Sequence, residues 1–302
     1  MRIGIFGGDV SSGGTIDDVV TSARTAADER FATYWLPQIF GFDALTALAV
    51  IGREVPGIEL GTSVIPTYPR HPMMLAAQAL TTQAISAGRL ALGIGLSHQI
   101  VIEGMFGYSF EKPVRHMREY LEILLPLIQK GSVSFQGETL SANGGLQIQG
   151  ATPCPVLLAA LGPKMLELAG GVADGTITWV TGPATLEGHT VPVINAAAER
   201  AGRPAPRVCA GLPVCVTDDV EAARGRAAKV FEIYGSLPSY RAMLDREGAE
   251  GPADVAIVGD EKTVNASIQR LAEVGASDFL AAEFSSSREE RGRTRELLRS
   301  LI

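Results

Sequence analysis

Cysteine and histidine are both scarce in this 302-residue chain, at three and four residues. Cys154, Cys209 and Cys215 are odd in number and scattered, without the short spacings that thiolate metal sites use. They are expected to be reduced, buried thiols of a cytoplasmic protein. No His/Asp/Glu cluster has a metal-ligand pattern, so no metal is expected. No apolar run approaches the ~18 residues of a membrane span. The opening MRIGIFGG has neither the apolar region nor the cleavage site of a secretory leader. Net charge is −7 and there is no stripe of Lys and Arg. Duplex binding needs positive charge to displace counterions, so neither nucleic acid nor membrane is an expected partner. A G-x-S-x-G nucleophile elbow is also missing.

What is present is a repeated alternation. Apolar residues make up 46% and charged residues 20%, as in compact folded chains. Eight short β-rich runs stand at 2–6, 33–37, 58–65, 90–96, 156–161, 175–180, 207–216 and 278–284. Between them, segments at 16–30, 43–53, 72–87, 113–129 and 163–172 carry a 3.6-residue pattern. Several of the strand runs are almost continuously apolar, as when helices cover the sheet. Eight βα repeats in about 300 residues predict an α/β fold of the (β/α)8 TIM-barrel type rather than an open doubly wound sheet. We read residues 1–302 as one domain with insertions after helix 4 and around helix 7. Residues 130–153 pattern as a β-hairpin with its bend at Asn143-Gly144-Gly145. Residues 217–277 hold two helical patterns separated by YGSLPSY and EGAEGPADV, and long insertions of this kind are lids or subunit contacts.

In such barrels the chemistry collects at the C-terminal strand ends. Those ends read Phe6-Gly7-Gly8, Pro37-Gln38-Ile39-Phe40, Ser63-Val64, Leu96-Ser97-His98, Ala160-Leu161-Gly162-Pro163-Lys164 and Trp179. They form an apolar, aromatic mouth. No two acids fall at neighbouring ends, against glycosidase chemistry. An apolar pocket with one histidine suits a flat organic cofactor that supplies the reactivity itself. His98 is the candidate acid or base, and its bland alternative is a loop histidine of no consequence. The GIG at 93–95 reads as close strand packing more than as a nucleotide loop. LGPK at 161–164 is either an anion cradle at a helix start or an ordinary Pro-initiated helix with a solvated lysine. Arg70 and His71 read as packing or capping, with Arg70 alternatively meeting an anionic tail. Trp35 reads as core, and Phe6, Phe40 and Trp179 as pocket lining. Phe106, with Tyr108 nearby, either walls the pocket or packs its own loop.

The stretch LGTSVIPTYPRHPMMLAAQALTTQAISAGRLALGIGLSH (60–98) resembles the luciferase-like monooxygenase superfamily, and within it the deazaflavin (coenzyme F-420)-dependent oxidoreductases. PVLLAALGPKMLELAGGVADGTI (155–177) and VAIVGDEKTVNASIQRLAEVGASDFLAAEF (255–284) extend the resemblance over most of the chain. It implies a homodimeric barrel of the bacterial luciferase type, with the deazaflavin at the strand C-termini. It also implies a non-prolyl cis peptide at Ser63-Val64 behind the ring. Leu96, Ser97 and His98 would then contact the cofactor, and Ala159, Ala160, Leu161, Gly162, Pro163 and Lys164 would cradle its phosphate-bearing tail. The chain departs from the sugar-phosphate dehydrogenases of that group. It has Gln38-Ile39 where they have Asp-His, and His98 where they have a catalytic Glu.

The expected function is therefore hydride transfer between deazaflavin C5 and a small organic substrate. His98 would move the proton, and Gln38 would orient the substrate or the polar edge of the ring. One alternative is an FMN-dependent monooxygenase using reduced flavin and oxygen; the other is a non-catalytic relative that only binds the cofactor.

Overall fold

A computed structural model describes residues 1–7 and 14–302; Gly8, named above at the end of the first strand, lies outside them. Eight parallel strands close into a barrel: β1 (Arg2–Phe6), β2 (Thr33–Leu36), β3 (Glu59–Thr62), β4 (Leu90–Gly95), β5 (Val156–Leu158), β6 (Gly175–Trp179), β7 (Arg207–Val216) and β8 (Asp278–Glu283). Each pairs with the next in sequence, and β8 closes on β1 through Arg2↔Asp278 to Ile5↔Ala281. One helix follows each strand: α1 (Ile16–Asp28), α2 (Ala44–Glu54), α3 (Pro72–Ile85), α4 (Pro113–Lys130), α5 (Pro163–Val172), α6 (Val191–Arg200), α7 (Glu261–Glu273) and α8 (Arg288–Ser300). This is the expected (β/α)8 barrel. Among the described residues, no helix is long and apolar enough to cross a membrane.

Alternation along the strands fills the barrel in layers. At the N-terminal end, Arg2 and Arg207 meet the buried Asp278 at 2.6 and 2.8 Å, and both also reach Glu59. Burial works against ionising Asp278, but hydrogen bonds from Arg207, Ser277 and Arg2 outweigh it and hold its pKa below the usual value. Above this ionic floor lie Trp35, Ala91, Leu157, Ile177, Cys209 and Leu280. The Trp35 ring fits because Gly61 has no side chain: a Cβ there would stand 2.1 Å from the indole. All three cysteines are free and buried.

Between β3 and β4 the ladder breaks. It pairs Leu60↔Leu90 and Gly61↔Ala91, then resumes at Ile65↔Ile94 in the two-residue strand Ile65–Pro66. The Thr62 hydroxyl bridges the gap, donating to the Gly93 carbonyl at 2.8 Å and accepting from its N–H at 2.9 Å. A polar residue in a buried strand is thus required by the bulge beside it. The Ser63-Val64 peptide in that bulge is cis.

Two local readings change. The hairpin pairs Ser132–Gln136 with Ser141–Gly145, so Asn143, Gly144 and Gly145 lie in its second strand and the bend is Gly137 to Leu140. The reason is tertiary. The buried Glu119 carboxylate of α4 accepts from the backbone N–H groups of Glu138, Thr139 and Leu140 and from the Thr139 hydroxyl. Those four donors close the turn beneath the helix. The stretch YGSLPSY, read as a separator, is largely helical, belonging to Glu232–Ser236 and Pro238–Glu247. The span 217–277 thus holds four short helices, of which Val220–Val230 and Pro252–Val255 are the others, then the strand Ile257–Gly259 and α7.

Candidate functional site

The C-terminal strand ends open on one face and carry the mouth. Its floor is apolar: Val64, from the bulge, packs on the Trp35 layer together with Phe6. A Cβ on Gly95 would meet Val64 Cγ2 at 2.7 Å and the Ala159 Cβ at 3.1 Å, so β3, β4 and β5 converge there. The GIG motif is therefore a close-packing device: a Cβ on Gly93 would lie 2.0 Å from the Thr62 carbonyl oxygen.

The chain leaves β4 through Leu96 and Ser97, both half-buried, with Ser97 in the left-handed region at φ 63°. That reversal sets His98 at the start of the short helix Gln99–Gly104, where its side chain makes no capping bond. The imidazole is half-buried and tilts against Tyr240, ring centroids 5.6 Å apart. Burial pushes its pKa below the ordinary histidine value. That shift favours the neutral imidazole, the form that accepts a proton.

Tyr240 belongs to a run of aromatic rings roofing the mouth. Phe6 stacks on Trp179 at 5.1 Å and 24°. The Trp179 indole meets Phe231 and Tyr234 edge-on at 5.8 and 5.9 Å, and Tyr234 meets Tyr240 at 5.1 Å. Phe231, Tyr234 and Tyr240 come from the insertion, so it covers the strand ends. Their contribution was invisible in sequence, where the only available signal was two tyrosines flanking Leu237-Pro238. The Trp179 indole N–H is buried, with the Tyr234 hydroxyl as its neighbouring acceptor.

Gln38 is half-buried, and its Oε1 accepts from the Ala44 N–H at 2.7 Å. Its carbonyl thereby helps to start α2, and the second lone pair of that oxygen and both amide hydrogens are left for a ligand. Asp43 caps α2 through Thr46 and also pairs with Arg70. His71 caps α3 through the Met73 N–H. Arg70 and His71 are thus occupied structurally. Phe40 is 62% exposed and Phe106 43%, and the structure does not bring them onto the ring cluster.

The LGPK segment starts α5. The Ala159 N–H is used in the ladder with Ile94, and buried Ala160 anchors the exit. The Leu161 carbonyl is bonded to Nε2 of His189 at 2.8 Å, a buried histidine in the π turn Leu186–Thr190. No local sequence signal marks this support, because His189 lies 28 residues from Leu161. Gly162 is the N-cap without a side-chain bond, followed by Pro163 and exposed Lys164. Nothing lies within 4 Å of where a Gly162 Cβ would stand. By contrast, side chains cap α1, α2, α3, α7 and α8. An uncapped helix start facing open space and an apolar floor fit a flat cofactor with an anionic tail.

Comparison with known proteins agrees with this architecture. A family model described as luciferase-like monooxygenase matches residues 1–286. The chain is 30% identical over 239 residues to 5,10-methylenetetrahydromethanopterin reductase of Methanolobus tindarius, covering 78% of this chain and 72% of that protein. Among solved structures it is similar to the coenzyme F420-dependent tetrahydromethanopterin reductase of Methanopyrus kandleri, with TM-score 0.82 and 21% identity over 100% of this chain and 98% of that one. It is also similar to the oxygenating constituent of 3,6-diketocamphane monooxygenase of Pseudomonas putida, a type II Baeyer-Villiger monooxygenase solved with FMN. There the TM-score is 0.75 and the identity 18%, over 99% and 96% of the two chains.

Proposed function

The chain belongs to the luciferase-like monooxygenase family, and on that premise we propose that it is a coenzyme F420-dependent oxidoreductase acting on a small organic substrate. The observation that carries this reading is the pairing of an apolar mouth around half-buried His98 with the uncapped start of α5 beside it. The bound deazaflavin would supply two-electron hydride chemistry at its C5 position.

The chain's own residues supply the rest. Val64, Gly95 and Ala159 form a flat floor on which an aromatic ring can lie. Leu96 and Ser97 edge it, and the Trp179 ring, stacked on Phe6, walls it. The free N–H groups at Leu161 and Gly162, with Lys164 and the α5 dipole, hold the phosphate. Phe231, Tyr234 and Tyr240 exclude water from the reacting centre. The neutral His98 imidazole accepts a proton from the substrate and returns it in the reverse direction. Gln38, held at the start of α2 by the Ala44 N–H, orients a ligand through its amide N–H groups and the remaining lone pair of its carbonyl. The proposed assembly is a homodimer, supported by exposed Phe40, Phe42, Val50 and Met74 at the neighbouring helices α2 and α3.

The likeness to the FMN-containing P. putida enzyme favours FMN as the second reading. Parallel fluorescence-quenching titrations of the purified protein with the deazaflavin and with FMN decide between them. Tighter binding of the deazaflavin is expected; tighter binding of FMN overturns the assignment. The His98→Ala enzyme is expected to lose about 100-fold or more in turnover with cofactor affinity retained, and an unchanged rate removes His98 from the mechanism.

A further inference from the structure

The insertion reaches His98 through the helix Pro238–Glu247, which buries little of itself. Its buried side chains are Met243 and Leu244, and the preceding helix Glu232–Ser236 has none among the described residues. A segment with so few buried contacts lies at the low end of local stability, so a specific contact is needed to fix it. Tyr240, Met243, Leu244 and Glu247 follow the i, i+3, i+4, i+7 spacing of one helix face, the face turned to the barrel. Tyr240 packs on the His98 ring near the start of the helix. Glu247 ends the same stripe about 10 Å further along.

Glu247 makes the specific contact. Its Oε1 accepts from the Ala184 N–H at 3.0 Å and its Oε2 from the Thr185 N–H at 2.7 Å. Thr185 adds a second tie, its hydroxyl donating to the Met243 carbonyl at 3.1 Å. Both residues lie in the segment that leaves β6 just after Trp179. Gly182 makes the approach possible: a Cβ there would stand 2.4 Å from the carboxylate carbon of Glu247. The Gly182 φ of −80° is open to any residue, so the close carboxylate, not the backbone, calls for glycine. A carboxylate offers one oxygen to each N–H, whereas an amide side chain has only one such oxygen.

We propose that Glu247 is a positioning residue for the site: by holding the helix at its far end, it keeps Tyr240 seated on His98. The anchor stands on its own geometry; its consequence for chemistry rests on His98 carrying the proton, as proposed above. When the anchor is lost, the helix detaches more often, the Tyr240 ring lifts and water reaches the imidazole. Burial alone lowers the His98 pKa, so lifting the ring lets it rise toward the ordinary value.

Two measurements on the full chain test this, and neither uses a cofactor. Hydrogen–deuterium exchange reads the opening of residues 232–247. NMR titration of the four histidine rings reads His98, identified by the resonance that His98→Ala loses. In Glu247→Ala the amides of 232–247 are expected to exchange about tenfold faster, the size of a lost hydrogen bond to a partly exposed carboxylate, while α1 and α2 exchange as in the wild type. The His98 pKa should rise by at most about one unit, because a tenfold change in opening moves a linked pKa by no more than its logarithm. Glu247→Gln, which keeps one acceptor, should fall between Glu247→Ala and the wild type. Gly182→Ala displaces the carboxylate and should reproduce both effects, and combining it with Glu247→Ala should add nothing. In a Tyr240→Ala background, Glu247→Ala should leave the His98 pKa where the first substitution put it. Unchanged exchange in 232–247, faster exchange throughout the barrel, or an unmoved His98 pKa beside local opening overturns the proposal. A protein that shows both shifts yet fails to bind the deazaflavin keeps the anchor and loses only the cofactor reading.

Discussion

Replacing Glu119 by Gln should unlock the hairpin that follows α4. The carboxylate takes four hydrogen bonds: Glu138 N at 3.0 Å on Oε1, and Thr139 N at 2.8 Å, Thr139 Oγ1 at 2.6 Å and Leu140 N at 2.9 Å on Oε2. Gln has one carbonyl oxygen, so its NH₂ must face at least one of these donors. Burial alone would raise the Glu119 pKa, but these bonds outweigh it and bring it from 4.5 to about 2. At 1.36 kcal/mol per unit that is roughly 3 kcal/mol; because the group lies directly beneath a surface turn, solvent screening reduces it to about 1.5–2 kcal/mol. For a chain of this length the loss corresponds to a fall in Tm of about 3 °C at pH 7. The sign with pH follows from a depressed folded pKa. The stabilisation is complete above pH 4.5 and is lost as pH falls toward 2. Differential scanning calorimetry of both proteins between pH 7 and pH 3 should therefore show the gap closing on the acid side. A shift below 1 °C at pH 7, or a gap that stays constant with pH, refutes the argument.

Three further outcomes follow from the site and the barrel. Tyr240→Ala should re-expose His98, whose pKa burial now lowers, so the acid limb of kcat/KM should move to higher pH; an unmoved limb separates Tyr240 from His98. Gly162→Ala puts a methyl group into the open space at the α5 start, so affinity for the phosphate-bearing deazaflavin should fall by about tenfold. Affinity for the analogue without phosphate should hold, with Tm within about 2 °C of wild type; an equal loss for both ligands counts against the cradle. Gly61→Ala drives a Cβ to 2.1 Å from the Trp35 ring and should cost about 2–3 kcal/mol, read as a lowered urea midpoint; a wild-type midpoint would mean that the barrel interior yields at this layer.

The barrel was legible because its signals are local and repeated. The expected helix at 163–172 coincides with α5, and the seventh run with Arg207–Val216. Pro163 and Gly162 mark the α5 start without reference to anything distant. His98 could be placed at a strand end for the same reason. The hairpin bend was misplaced because Asn143-Gly144-Gly145 is a good turn sequence locally, while the deciding carboxylate comes from Glu119, on a helix already past. Tyr240 and Tyr234 were unreadable as site residues because ring contacts with Trp179 and His98 span some 55 to 140 residues of sequence, as their numbers show.

The sequence by itself thus determined the alternation of strands and helices, the closed barrel and the face on which its chemistry lies, since apolar period and proline position act within a few residues. Only the tertiary structure decided that the insertion lays Tyr240 against a half-buried His98, that Gln38 is engaged with α2, and that four cations from two helices line one groove between α4 and α5. Desolvation and charge density depend on which side chains are neighbours in space, and chain order does not record that.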